Sequence, residues 1–333
     1  MSKRRLTQQQ QRRIQDNQQK RRQRAQQNPT PDILSSLGPE RVGRIITRFG
    51  KSAMVQAEQD TYRCAIRQNL NELVCGDEVT WQLGESGEGI IVAINPRKNT
   101  LARPDFGNKL KPVAANIDLI WIVASLHPQF DTSLIDQYTI AAEFNHISPA
   151  LIINKIDLAE DRGELEQTFN RYQQLGYPVV YTSTKVPQGI TELKQILMDK
   201  TSVFVGQSGV GKSSLINSLH PALALETRQV SEQTGLGVHT TSRTTLYHLP
   251  EGGDLIDSPG VREFGLWHLS ADDIAPHFVE FKPFLGQCKF SNCTHIHEPD
   301  CAIRGAVDER KISVERFKNY LIIRQRILDN KIR

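Results

Sequence analysis

A multidomain α/β chain is predicted: an OB-type β-barrel, then a parallel sheet flanked by helices, then a C-terminal helical region that binds zinc. Three observations predict it. Between residues 42 and 95, five short β-rich runs follow one another without helical periodicity. From about residue 115, apolar runs of strand length alternate with helical patterns. Near the C-terminus, three cysteines and two histidines crowd into residues 288–301.

Length and composition agree with several domains rather than one. A chain of 333 residues exceeds what one hydrophobic core usually serves. Its 38% hydrophobic and 23% charged residues are an ordinary globular balance. No apolar run approaches the ~20 residues that span a bilayer, and the basic N-terminus is followed by no apolar stretch of the kind a secretory signal needs. A soluble, cytoplasmic monomer with no membrane partner is expected. Five cysteines, three of them clustered, fit metal binding in a reducing compartment better than a disulfide framework.

The net charge is +4, and its distribution is uneven. Residues 1–27 carry nine basic side chains and one acid, Asp16, a net of +8 in the tail alone. The tail is also rich in glutamine and nearly free of large apolar residues, so it cannot bury enough surface to offset its ordering entropy. Residues 1–39, including the proline-containing linker Asn28–Pro39, read as a disordered basic tail. Such a tail is either a solvated extension or an arm that gains affinity by displacing counterions from a polyphosphate.

The expected strands of the barrel are Val42–Arg48, Ala53–Glu58, Tyr62–Arg67, Asp77–Leu83 and Gly89–Asn95, within a domain of residues 40–105. Barrels of this size commonly carry oligonucleotides on one face, although a rigid spacer needs the same strands. Cys64 and Cys75 lie here without metal-ligand spacing and read as small buried hydrophobes. A second domain, 106–270, follows. Its strands are expected at Leu119–Leu126, Ala150–Ile153, Val179–Thr182 and Val203–Val205. Its helices are expected at Asp131–Asn145, Glu164–Leu175, Ile190–Met198 and from Ser214 to Leu219. Strand–helix alternation implies a parallel sheet covered on both faces, with ligands at the carboxyl ends of its strands. Residues 271–333 form the third region, ending in a helix over Val314–Leu328 with basic residues on one face.

The motifs fall at strand ends. Gly206-Gln207-Ser208-Gly209-Val210-Gly211-Lys212-Ser213, followed by Ser214, fits the P-loop pattern between a strand and a helix. Glycines let consecutive backbone N–H groups converge on phosphate oxygens, and the helix N-terminus adds positive dipole. Lys212 is expected to reach the β- and γ-phosphates, and the Ser213 hydroxyl to ligate Mg²⁺. Asn154-Lys155-Ile156-Asp157 follows another strand. A carboxylate at Asp157 accepts from the guanine N1–H and exocyclic amine and rejects adenine, which lacks that donor pair. Lys155 is expected over the ring plane and Asn154 between neighbouring loops. Tyr181-Thr182-Ser183-Thr184-Lys185 supplies a second base-side loop, with Ser183 and Lys185 near the base. Asp257-Ser258-Pro259-Gly260 has the D-x-x-G form, in which Asp257 holds Mg²⁺ through water and the Gly260 N–H meets the γ-phosphate. Between these motifs, the Gly/Ser/Thr-rich stretch 231–245 offers Thr240 or Thr241 to the same cation. The rival readings are an ATP-using P-loop enzyme and a zinc-containing RNA-binding protein that only senses nucleotide.

Cys288, Cys293, His295 and Cys301 give three thiolates and one imidazole within fourteen residues, with His297 an alternative fourth ligand. Soft ligands in tetrahedral number favour Zn²⁺, one per chain, and leave no open coordination position, so the site is expected to be structural. It is expected to fix a small region poor in core-building residues.

The motif order is rotated. Asn154–Asp157 and the Ser183 loop precede the P-loop, and Asp257–Gly260 comes last. With the barrel before and the Cys/His cluster behind, the chain resembles the RsgA family of circularly permuted GTPases over residues 40–330. The matching stretches include Gly237-Val238-His239-Thr240-Thr241 and Asp257–Gly265. The resemblance implies a GTPase that binds the small (30S) ribosomal subunit and its 16S rRNA. It implies assistance in late maturation, with hydrolysis of GTP to GDP and phosphate stimulated by the subunit. It also favours His295 over His297 as the fourth metal ligand. Val261-Arg262 stand where a water-orienting glutamine is usual, so His239 becomes the candidate catalytic residue, against the plain alternative of a loop histidine without chemistry.

Overall fold

The computed structural model describes residues 37–70, 72–85, 87–104, 109–222, 243–258, 265–266 and 269–329. Of the disordered tail and linker expected at residues 1–39, residues 1–36 lie outside the described residues, and 37–39 instead begin the first strand. Five strands form the barrel: β1 (Leu37–Phe49), β2 (Ser52–Ala57), β3 (Asp60–Ile66), β4 (Glu78–Gly84) and β5 (Gly89–Ile94). Their order is β1-β2-β3-β5-β4, and a ladder from β1 to β4 closes the ring. Alternation along each strand sends Ile45, Val55, Cys64, Val79, Trp81 and Ile91 inward, all fully buried. Burial pushes the Cys64 and Cys75 thiols up to about 12, in keeping with inert core residues.

A hairpin of β6 (Thr100–Pro104) and β7 (Leu110–Ala115) joins the barrel to the second unit. These strands were not expected. Pro104, Pro112 and the lysines at 109 and 111 break the apolar alternation by which a strand is recognised.

The parallel sheet then alternates with helices: β8 (Leu119–Ser125), α1 (Thr132–Phe144), β9 (Ser148–Asn154), α2 (Arg162–Gln174), β10 (Val179–Thr182), α3 (Pro187–Leu197), β11 (Thr201–Val205) and α4 (Lys212–Leu219). Each sequence-expected strand and helix of this unit is present within a few residues. Helices α1 and α2 begin at aspartate caps, Asp131 and Asp161, whose carboxylates accept the free amides of the first turn. Two further strands, β12 (Thr245–His248) and β13 (Asp254–Asp257), complete the order β10-β9-β8-β11-β13-β12. The chain winds outward from β8 to β10, then returns to the other side of β8 with β11. The winding therefore reverses between β8 and β11, and a crevice opens at their carboxyl ends. Beyond β12 the sheet continues into the barrel, because Thr47 of β1 pairs with Thr245.

The C-terminal region holds two 3₁₀ segments, Ala275–His277 and Val279–Phe284, then α5 (Ala302–Asp308) and α6 (Val314–Leu328). The expectation that it lacks core-building residues is corrected. Phe278, Phe281, Ile303, Ile312, Tyr320 and Ile323 are buried in one cluster with the sheet and α1. Short 3₁₀ turns have no 3.6-residue stripe, so their aromatics left no periodic signal.

One polar contact crosses that core. Arg316 of α6 donates to Asp136 of α1 at 2.6 Å and, through a fork of 2.6 and 3.0 Å, to Glu280. Asp136, fully buried, also accepts from Tyr172 at 2.6 Å and Asn319 at 2.7 Å. Removing one member leaves the others charged and unpaired in a dry site. Arg316→Met is therefore expected to cost about 3–5 kcal/mol in urea unfolding. Lys311→Met, which breaks the exposed pair with Glu309, should cost less than about 1 kcal/mol. Equal effects of the two substitutions would contradict a buried network.

Candidate functional site

The P-loop fills the turn between β11 and α4, and two of its glycines are required sterically. Gly206 has φ +135°, and a Cβ there would stand 2.3 Å from the Val123 carbonyl oxygen. Gly211 has φ +101°, and a Cβ there would stand 2.3 Å from Asn154 Nδ2. Neither position admits another residue without moving backbone or a neighbouring loop. The loop from Gly206 to Ser214, together with Tyr138 of α1, lines an open cavity of about 490 Å³. Lys212 Nζ donates to the carbonyls of Gly206 at 2.7 Å and Gln207 at 2.6 Å, folded over its own loop. Ser213 and Ser214 begin the helix at the cavity wall.

The base-side loops reach the P-loop directly. Asn154, 2% exposed at the end of β9, donates from Nδ2 to the Val210 carbonyl at 2.9 Å. Its Oδ1 accepts from the Thr182 hydroxyl at 3.0 Å. One buried amide therefore joins the ends of β9 and β10 to the phosphate loop. Lys155, in the left-handed region at φ +61°, donates to the Gly209 carbonyl at 2.7 Å and to His127 in the loop after β8. Asp157 follows in a 3₁₀ turn. Its Oδ1 accepts from the Ser183 hydroxyl at 2.6 Å, and its Oδ2 pairs with Lys185 Nζ at 2.7 Å. The Lys185 ammonium, then the Ser183 hydroxyl, holds the Asp157 carboxyl below the usual carboxylate range. Each oxygen keeps a second lone pair for another donor.

Asp257 stands at the end of β13, the parallel neighbour of β11 on the side away from β8. A carboxylate here and the Ser213 hydroxyl at the head of α4 are hard oxygen donors of the kind a small divalent cation takes. His239, Thr240, Thr241 and Gly260 lie outside the described residues.

The Cys/His cluster is assembled as a unit. The ligand atoms of Cys288, Cys293, His295 and Cys301 all lie within 4.8 Å of one another. His295 Nδ1 stands 3.5 Å from Cys288 Sγ and 3.4 Å from Cys301 Sγ, and the two sulfurs are 3.9 Å apart. Metal–sulfur bonds of about 2.3 Å and a metal–nitrogen bond of about 2.0 Å place tetrahedral corners roughly 3.5–3.8 Å apart. The cluster could therefore hold one metal ion. Burial lowers the His295 pKa, which favours the neutral ring that ligates. Glu298 shapes the turn between the ligands by accepting from the amides of Thr294, Ile296 and His297. Burial alone would raise its carboxyl, but the hydrogen bonds from Thr294 and these amides hold it well below the usual range.

Sequence reasoning named the motif residues but not their supports. Tyr138, the His127 carbonyl and Glu298 belong to no motif, and only proximity in the fold reveals them.

A family model described as RsgA GTPase matches residues 94–267. A Shewanella oneidensis relative named small ribosomal subunit biogenesis GTPase RsgA is 49% identical over 301 residues, covering 87% of this chain and 85% of its own. A Vibrio parahaemolyticus relative, small ribosomal subunit biogenesis GTPase RsgA 1, is 46% identical over 305 residues, 89% of this chain and 86% of its own. Among solved structures, YjeQ from Thermotoga maritima superposes with a TM-score of 0.72 at 32% identity, over 87% of this chain and 99% of that one. YloQ, described as a circularly permuted GTPase, gives a TM-score of 0.72 at 29% identity over 89% and 97%. With the rotated motif order and the barrel in front of it, the chain belongs to the RsgA GTPase family.

Proposed function

We propose that this GTPase binds the small (30S) ribosomal subunit through its 16S rRNA and assists late maturation of that subunit, its hydrolysis of GTP to GDP and phosphate being stimulated there. The relatives named for small-subunit biogenesis support the biological part. The chemical part rests on one observation: the buried Asn154 amide and Lys155 bind the P-loop carbonyls at Val210 and Gly209, so base-reading and phosphate-binding loops form a single site.

In this reading the P-loop amides cradle the phosphates and Lys212 leaves its own carbonyls for the β- and γ-oxygens. Asp157, kept ionised by Lys185, accepts from the guanine N1–H and amine. Ser183 and Lys185 hold that carboxylate rather than the base, a division of labour the motif alone did not suggest. Ser213 and Asp257 take Mg²⁺, which neutralises charge that develops on the phosphates. Thr240 or Thr241 adds a further oxygen, and His239 orients the attacking water. The four ligands of the C-terminal cluster hold one structural Zn²⁺. The barrel of β1 to β5 and the basic tail supply rRNA contacts, and the protein acts as a monomer in the cytoplasm.

Lys212→Ala should lower hydrolysis on the order of a hundredfold or more, in phosphate-release assays with and without small subunits. Unchanged turnover would end the enzymatic assignment. Asp157→Asn should weaken guanine-nucleotide binding by roughly ten- to a hundredfold and favour xanthine nucleotides, whose C2 oxygen accepts from an amide. A variant that keeps its guanine preference would remove Asp157 from base reading. Elemental analysis should find one zinc per chain, lost in Cys301→Ser together with a lower melting temperature. A zinc-free wild-type chain of unaltered stability would show the cluster to be plain thiols.

A further inference from the structure

β13, only four residues long, carries Asp257 at its end, and the barrel strand β1 holds it at both ends. At its start, Arg44 of β1 pairs with the Asp254 carboxylate at 2.5 Å and donates to the Thr201 hydroxyl of β11 at 2.7 Å. At its end the connection runs through hydroxyls. The Thr47 hydroxyl, on a residue 8% exposed, donates to the Thr244 carbonyl at 3.1 Å and accepts from the Thr245 hydroxyl at 3.4 Å. The Thr244 hydroxyl is 2.7 Å from that of Ser258, the residue after Asp257. The register agrees: Thr47 opposes Thr245 across β1 and β12, and Thr245 opposes Asp257 across β12 and β13. Directly opposed residues point to one face of a sheet, so the three side chains form a row.

We infer that β1 of the barrel is part of the nucleotide site's scaffold, with Thr47 a positioning residue that sets Asp257 through Thr244 and Ser258. The inference rests on the reading of Asp257 as the carboxylate that holds Mg²⁺ through water. A barrel strand with this role gives whatever binds the barrel a route of two hydrogen bonds, through Thr244, to the γ-phosphate side of the site. By reciprocity, nucleotide state then biases what the barrel binds.

The test is the Mg²⁺ dependence of nucleotide binding by the full chain. Thr47→Val keeps the shape and removes the hydroxyl. It should raise the Mg²⁺ concentration for half-maximal binding of a fluorescent non-hydrolysable GTP analogue roughly three- to tenfold, the worth of one hydrogen bond. GDP binding measured in EDTA should be unchanged. Thr47→Ser, which restores the hydroxyl, should behave as wild type. Thr80→Val, which removes a barrel hydroxyl bonded to Asn95, should also leave the Mg²⁺ requirement alone. Thr244→Val, at the next link, should give the same shift and carries the test if Thr47→Val does not fold. An unchanged Mg²⁺ requirement in both valine variants overturns the inference. So does an equal loss of Mg²⁺-free GDP binding, which marks general loosening. A wild-type chain that binds neither nucleotide overturns the underlying GTPase reading instead.

Discussion

The hydrogen bond from Asn154 Nδ2 to the Val210 carbonyl spans 56 positions of sequence and fixes two loops that the chain encodes separately. Around it the site assembles. Gly211 can have no side chain because Asn154 occupies that space, and Thr182 orients the amide from the next strand. The parallel ladder from β10 through β9 and β8 to β11 brings these ends into register. The shuffled order of motifs is harmless for this reason. The sheet places loops by strand position, and strand position does not depend on where the chain begins.

The neighbouring units are built onto this sheet rather than tethered to it. The barrel extends it through the single pairing of Thr47 with Thr245 and the Arg44–Asp254 pair. The C-terminal region shares its core through Phe278, Phe281 and Tyr320 and adds the Arg316–Asp136–Glu280 network, where a buried charge requires every partner. The two contacts differ in kind. The first combines a short ladder and an ion pair with the packing of Cys75 and Ile46 against the main core. The second is broad and apolar and crossed by charge, so α1, which contributes Tyr138 to the cavity, is packed directly against α6.

Much of this was legible in the sequence because the relevant signals are local. Strand alternation in the barrel, apolar runs in β8 and β9, and the P-loop's Gly–Lys–Ser spacing each follow from a few adjacent residues. The Cys/His cluster was legible for the same reason. What stayed hidden depends on long-range contact. The β6–β7 hairpin carries prolines and lysines where alternation is sought. The aromatics of the 3₁₀ segments have no period. Asp136 and Arg316 carry no local sign of burial, which appears only when α1 and α6 are packed together. Lys185 read as a base-side residue, and only its distance to Asp157 shows it holding the carboxylate.

Encoding the base-side loops before the phosphate loop also orders events during synthesis. A nascent chain completes Asn154–Asp157 and Ser183–Lys185 well before Lys212, and Asp257 later still. The barrel, complete once β5 ends at Ile94, can fold while the rest is being made. β13, with Asp257 at its end, is the last strand of the sheet to emerge. A nucleotide that binds the assembled site stabilises, by mass action, the sheet in which early-made and late-made strands meet.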